Sequence, residues 1–169
     1  MNIFVLDKNP RDAARMHCDK HVPKMILETA QMLSTAHHVY DTPQAPLVYK
    51  KAHLNHPCTI WVRESTANYS WAWHLYLNLL VEFKKRRGKT HKSGDLMPHL
   101  AHTPPLPSCG LTPFAQAMPD QYKQEDAVEA YRAYYRGDKA SFAKWEWPTA
   151  QIPSWWKDQT HLEYQTVKL

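Results

Sequence analysis

Between His17 and Val39 the chain carries two patterns at once. His17, His21, Lys24, Glu28, Gln31, Thr35 and His38 succeed one another by three or four residues and so fall in one row along a helix. Met25, Ile26, Leu27, Ala30, Met32, Leu33, Ala36 and Val39 occupy the other faces, the pattern of a helix buried on most sides. Polar groups taken out of water without partners are costly. The row must therefore meet partners from elsewhere in the chain or line a cleft.

Helix signals organise the rest. Asn9 followed by Pro10 is a cap and first turn, and a first helix runs through RDAARMHCDK. Pro23 cannot donate to the carbonyl of Asp19, which predicts a break or kink around residues 20–23 and a second helix to about Tyr40. Upstream, Ile3 to Leu6 is an apolar run too short to separate a strand from a buried extended segment. Pro57 suits another first turn, and Tyr69, Trp73, Tyr76, Leu77, Leu80 and Phe83 form an apolar stripe on a long helix ending in Lys84, Lys85, Arg86, Arg87 and Gly88. Such a basic end followed by glycine is both an ordinary helix stop and a possible DNA contact. Residues 89–112 hold four prolines and form a long loop of the kind that binds or covers a ligand. Thr112 and Pro113 restart a short helix that Met118 and Pro119 end, and QEDAVEAYRAYYRG is an amphipathic helix whose Val128, Tyr131, Tyr134 and Tyr135 face the core or a groove. The tail from Trp145 is aromatic and broken by prolines, and its polar end, about 157–169, is expected to be mobile. With no internal repeat, the expected architecture is mainly α: one compact helical domain over residues 1–169.

The 169 residues suffice for a core without staples, and 43% apolar content excludes disorder as the default. Cys18, Cys58 and Cys109 are an odd number without CxxC spacing, which speaks against a disulfide framework or a zinc ribbon. No run of eighteen apolar residues is present, so no membrane partner is expected and the compartment read from these features is the cytoplasm. A net charge of +5 suits an anionic partner, and seven Trp and nine Tyr among basic residues suit stacking on nucleobases, although aromatics also build cores.

Three constellations can carry chemistry. Glu28 shares its face with Lys24 and His21 and is a candidate general acid or base, or the stabiliser of a cationic intermediate; an ion pair with Lys24 is the alternative. His17 and His21, spaced i and i+4, can share a metal with His53, His56 or Cys58, although no metal signature is present. An amine forming a Schiff base must be unprotonated, and an α-amino group, with a pKa of about 8, is better placed than a lysine at about 10.4. Met1 is such a group, whereas Lys20 or Lys24 would need burial to compete.

The stretch DKHVPKMILE, Asp19 to Glu28, resembles the pyrimidine dimer DNA glycosylase family, which includes phage endonuclease V, in its D-x-H helix with a glutamate seven residues after the histidine. LNHPCTIW at Leu54 to Trp61, the helix with a basic end and the late Trp- and Tyr-rich segment are similar in kind. The resemblance implies an all-α fold, a terminal amine that attacks the sugar C1′ of a damaged nucleotide, and a helix glutamate that supports cleavage. Basic residues then grip a kinked duplex. Carried onto this chain, Glu28 is the catalytic carboxylate and His21 its neighbour near DNA. The chain departs from the family at the amine, because Asn2 is too large for efficient removal of Met1. Met1 itself, Lys24, or no amine at all remains.

The expected activity is that of a glycosylase or glycosylase/lyase on a damaged or modified pyrimidine, needing no cofactor. Glu28, His21, Lys24 and Met1 are the expected catalytic group, and His17, Lys20, His53, Asn55, His56 and Arg63 the expected nucleic-acid contacts. Two alternatives stand beside it: a metal-assisted phosphohydrolase or nuclease using His17, His21, His53 and His56, and a non-catalytic nucleic-acid-binding protein. The partner in each case is DNA or a nucleotide.

Overall fold

The structure, a computed structural model, describes residues 1–156. It is mainly α, with six helices joined by 3-10 turns and no strand among the described residues. The helices are α1 (Pro10–Met16), α2 (His21–Val39), α3 (Pro57–Val62), α4 (Thr66–Arg87), α5 (Met97–Leu100) and α6 (Ala127–Gly137). α4 packs along both α1 and α2, and α3 closes against α2 and α4. The mobile tail expected at 157–169 lies outside the described residues.

Most helix ends form where local chemistry favours them. Asn9 caps α1 by accepting from the Arg11 amide, with Pro10 in the first turn, and Asp126 caps α6 in the same way through the Val128 amide. Gly88 closes α4 in the left-handed region, at φ 66°, with its N–H on the Lys84 carbonyl. The break after α1 falls at His17–Lys20, ahead of Pro23. Pro23 sits instead within the first turn of α2, where a missing amide proton costs nothing.

Three expectations are corrected. The inward face of α4 is carried by Tyr69, Ala72, Leu75, Tyr76 and Leu79, while Trp73, Leu77, Leu80 and Phe83 are only half-buried. Residues 89–112 are partly built: a 3-10 turn at Lys92–Leu96 leads into α5, and Leu100 and Leu106 enter the core. No helix forms over 113–118, because the backbone there is taken by other segments. Asn2 Nδ2 donates to the Ala117 carbonyl, the Ala117 amide donates to the Tyr131 hydroxyl, and the Tyr131 hydroxyl also lies 2.8 Å from the Ala115 carbonyl.

The segment from Asn2 to Leu6 forms neither helix nor strand, turns at Val5 where the Leu6 amide donates to the Phe4 carbonyl at 2.9 Å, and is buried throughout. Phe4 is the hub, stacked on His21 at 4.5 Å and in edge contact with Tyr131 and Tyr135 of α6. On its other side Ile3 and Val5 face Cys58 and Trp61 of α3 and Phe114. The N-terminal segment thus stands where a central strand would in another architecture.

The basic end of α4 divides in two. Lys84, Lys85 and Arg87 are exposed, whereas Arg86 is buried and reaches the α1–α2 junction. Its guanidinium donates to the carbonyls of His17 (2.8 Å) and Arg15 (2.9 Å), and pairs with Asp19 at 3.3 Å and Glu82 at 3.7 Å. Asp19 in turn accepts from the amides of Glu146 (2.6 Å) and Trp147 (2.9 Å). One cation therefore ties α4, the α1–α2 junction and the aromatic C-terminal segment together. Removing one partner of a buried pair leaves the other uncompensated. Arg86→Leu is expected to cost about 3 to 5 kcal/mol of unfolding free energy in urea titrations, whereas Lys84→Ala should stay within about 0.5 kcal/mol.

Candidate active site

The polar row of α2 splits into three parts. At its C-terminal half, Thr35 Oγ1 accepts from the Ala52 amide at 3.1 Å, Ser34 Oγ accepts from the Tyr49 amide at 3.3 Å, and His38 Nε2 is bonded to the Tyr49 carbonyl at 2.9 Å. These contacts lay residues 49–52 along the helix. The loop that follows, His53 to His56, is thereby delivered beside the middle of α2.

At that middle stands Glu28. Its Oε1 lies 3.2 Å from the Met1 amine, and its side chain is 14% exposed, so the pair sits at the rim of the core within reach of solvent. Lys24, one turn earlier, is exposed, and Glu28 pairs with the terminal amine rather than with Lys24. His56 joins the same group from the start of α3. Burial is the main cause holding its imidazole below the usual range; the amine and His53 add to this, and Glu28 opposes it. His53 is exposed and holds a left-handed backbone, φ 47°, at which a side chain is uncommon outside constrained sites.

Asn2 anchors the chain immediately behind the amine. Asn2 Nδ2 donates to the Ala117 carbonyl at 2.8 Å. Its Oδ1 accepts from the Ile3 amide at 2.8 Å and lies 3.0 Å from the Tyr131 hydroxyl and 3.5 Å from Cys58 Sγ. Burial pushes the Cys58 thiol up to about 11, so it acts here as a neutral donor. A polar Asn ahead of the apolar run Ile3 to Leu6 was the available signal, but its partners lie as far as 129 residues away.

At the N-terminal end of the row the structure corrects two expectations. His21, expected near DNA, is 1% exposed, bonded through Nδ1 to the Tyr135 hydroxyl at 2.6 Å and stacked on Phe4. His17, expected to touch nucleic acid, is fully enclosed with Nδ1 on the Ala13 carbonyl at 2.6 Å. Both are packing residues with no surface to offer. Nor do His17 and His21 meet His53 and His56, and no group of three or more metal-capable side chains forms among the described residues. The metal-assisted alternative thus loses its donor set. Of the other expected contacts, Lys20 and Asn55 are exposed, with the Lys20 ammonium 4.6 Å from the Phe142 ring centre. Arg63 is half-buried and folds back on the Thr59 carbonyl.

An amine beside a carboxylate suits one kind of chemistry. The carboxylate accepts an N–H hydrogen bond, orients the nitrogen and stabilises positive charge that develops on it. A family model described as pyrimidine dimer DNA glycosylase matches residues 1–97, the part that holds the amine, Glu28, His53 and His56. The chain belongs to the pyrimidine dimer DNA glycosylase family, and DNA is the substrate class that this membership implies. Neither the curated proteins nor the solved structures yielded a match. No helix among the described residues is long and apolar enough to cross a membrane.

The enclosed histidines make a further expectation. Burial drops His17 to about 4 and His21 to about 2 from an ordinary 6.5. Below pH 6.5 the unfolded chain takes up protons that the folded chain refuses, so stability is full above that pH and is lost as pH falls toward the folded values. Each histidine contributes a slope of about 1.4 kcal/mol per pH unit in that window. Urea midpoints should therefore fall between pH 6 and 5, and a flat profile would contradict the burial of both rings.

Proposed function

We propose that the protein is a DNA glycosylase with associated lyase activity on a damaged pyrimidine, in which the Met1 amine is the nucleophile and Glu28 its carboxylate partner. The observation that supports this reading most is the 3.2 Å contact between that amine and Glu28 Oε1. The unprotonated amine attacks C1′ of the damaged nucleotide, and the electron pair of the glycosidic bond leaves with the base. As nitrogen then forms C=N, the C1′–O4′ bond breaks and O4′ takes up a proton. Glu28 accepts the proton shed by the amine and stabilises the resulting iminium. Loss of a C2′ proton then expels the 3′ phosphate and breaks the strand.

The supporting framework is rigid where the reaction needs it. Asn2 fixes the residue next to the nucleophile through four polar neighbours, which limits the search the amine makes for C1′. On the same reading, exposed Lys20, Lys24, His53 and Asn55 meet the phosphates and bases around the extruded nucleotide.

The test is glycosidic cleavage in ultraviolet-irradiated duplex, followed in excess chelator as strand breaks after alkali, because a base joined to its dimer partner is not set free. Glu28→Gln is expected to slow that cleavage at least about 10²-fold while duplex affinity changes less than about twofold. Wild-type turnover by that variant, or binding without product by the wild type, would contradict the proposal.

A further inference from the structure

We infer that His56 is a further substrate-contacting residue of this site: its Nε2–H donates a hydrogen bond to the oxygen of the damaged nucleotide that gains negative charge as the base departs. This rests on the glycosylase reading above and extends it to a residue that the amine–carboxylate pair does not require.

The argument begins at the first turn of α3. His56 is the residue ahead of Pro57, with extended backbone, and its Nδ1 accepts the Cys58 amide proton at 3.1 Å. Serine, threonine, aspartate and asparagine are the usual residues at such a cap, so capping alone does not call for an imidazole. The cap does fix which form of the ring is present. A nitrogen that accepts a hydrogen bond carries no proton, so the neutral ring must bear its proton on Nε2.

The surroundings favour that neutral form. Burial and the positive Met1 amine both disfavour an imidazolium here, and His53 adds to them. Protonation would also place a proton on Nδ1 and break the cap. Nε2 has no hydrogen-bond partner among the described residues, although the ring is half-buried. The result is a donor of fixed tautomer, unused by the protein, within electrostatic reach of both the amine and Glu28. A neutral donor held in place where charge develops stabilises a transition state without reorganisation.

His56→Asn tests this directly, because asparagine is among the best caps and can accept the Cys58 amide proton, yet it lacks the Nε2 donor. Single-turnover glycosidic cleavage in irradiated duplex, read as strand breaks after alkali, should slow about 10²-fold, with duplex affinity within about twofold and the thermal midpoint unchanged. His56→Ser, a second capping variant, should behave alike and covers the case in which asparagine perturbs folding. A wild-type rate in a folded capping variant would show that His56 is only a cap and overturn the inference. Weakened affinity with an unchanged rate would overturn it too, by moving the contact to a phosphate. Absence of glycosidic cleavage by the wild type would instead overturn the glycosylase reading on which the inference stands.

Discussion

A buried segment that belongs to no helix or sheet must find partners for its backbone polar groups by other means, and residues 2–6 impose that demand on the whole molecule. Asn2 satisfies the Ile3 amide, Arg132 Nε donates to the Leu6 carbonyl at 2.9 Å, and Trp71 Nε1 donates to the Lys8 carbonyl at 2.8 Å just beyond. These donors come from α6 and α4. Side chains of Cys58 and Tyr131 then close on Asn2 from α3 and α6. Because the segment is clamped along its length, the amine at its start is carried to a fixed point beside Glu28. The helices are arranged around a terminus, and the candidate chemistry is at that terminus.

The second constraint is electrostatic and lies at the opposite end of the α2 row. Arg86 and Asp19 are both enclosed, and such a pair is tolerable only when its remaining hydrogen-bonding capacity is used. Backbone carbonyls of Arg15 and His17 and backbone amides of Glu146 and Trp147 use most of it. This junction sets the start of α2 and hence the rotational position at which Glu28 emerges two turns later. It also draws the C-terminal segment, beyond the reach of the family match, onto the helix that carries the carboxylate. The site and its support thus come from different parts of the chain.

Much of this was readable in the sequence wherever the cause was local. The cap at Asn9, the first-turn Pro57, the stop at Gly88 and the amphipathic run of α6 mark helix ends that the structure keeps, although α1 stops at Met16 short of Lys20 and the helix begun at Pro57 stops at Val62. Glu28 and Met1 were named as reactive groups from residue type and spacing, and the structure brings them together. What could not be read depends on contacts between distant residues. Helical spacing puts His21 and Glu28 in one row, but Phe4 and Tyr135 cover the first and leave the second at the rim. Residues 113–118 carry helix signals, yet Asn2 and Tyr131 claim their backbone. Arg86 looks like its basic neighbours until the α1–α2 junction is seen around it.

The central claim is that the terminal amine is the attacking group. Borohydride reduction during incubation with ultraviolet-irradiated duplex DNA would convert an iminium to a stable amine, and peptide mapping would locate the attachment. The account predicts a damage-dependent adduct on the Met1 nitrogen, with the same point of attachment in Lys24→Gln. An adduct on a lysine, or glycosidic cleavage with no adduct at all, would contradict it.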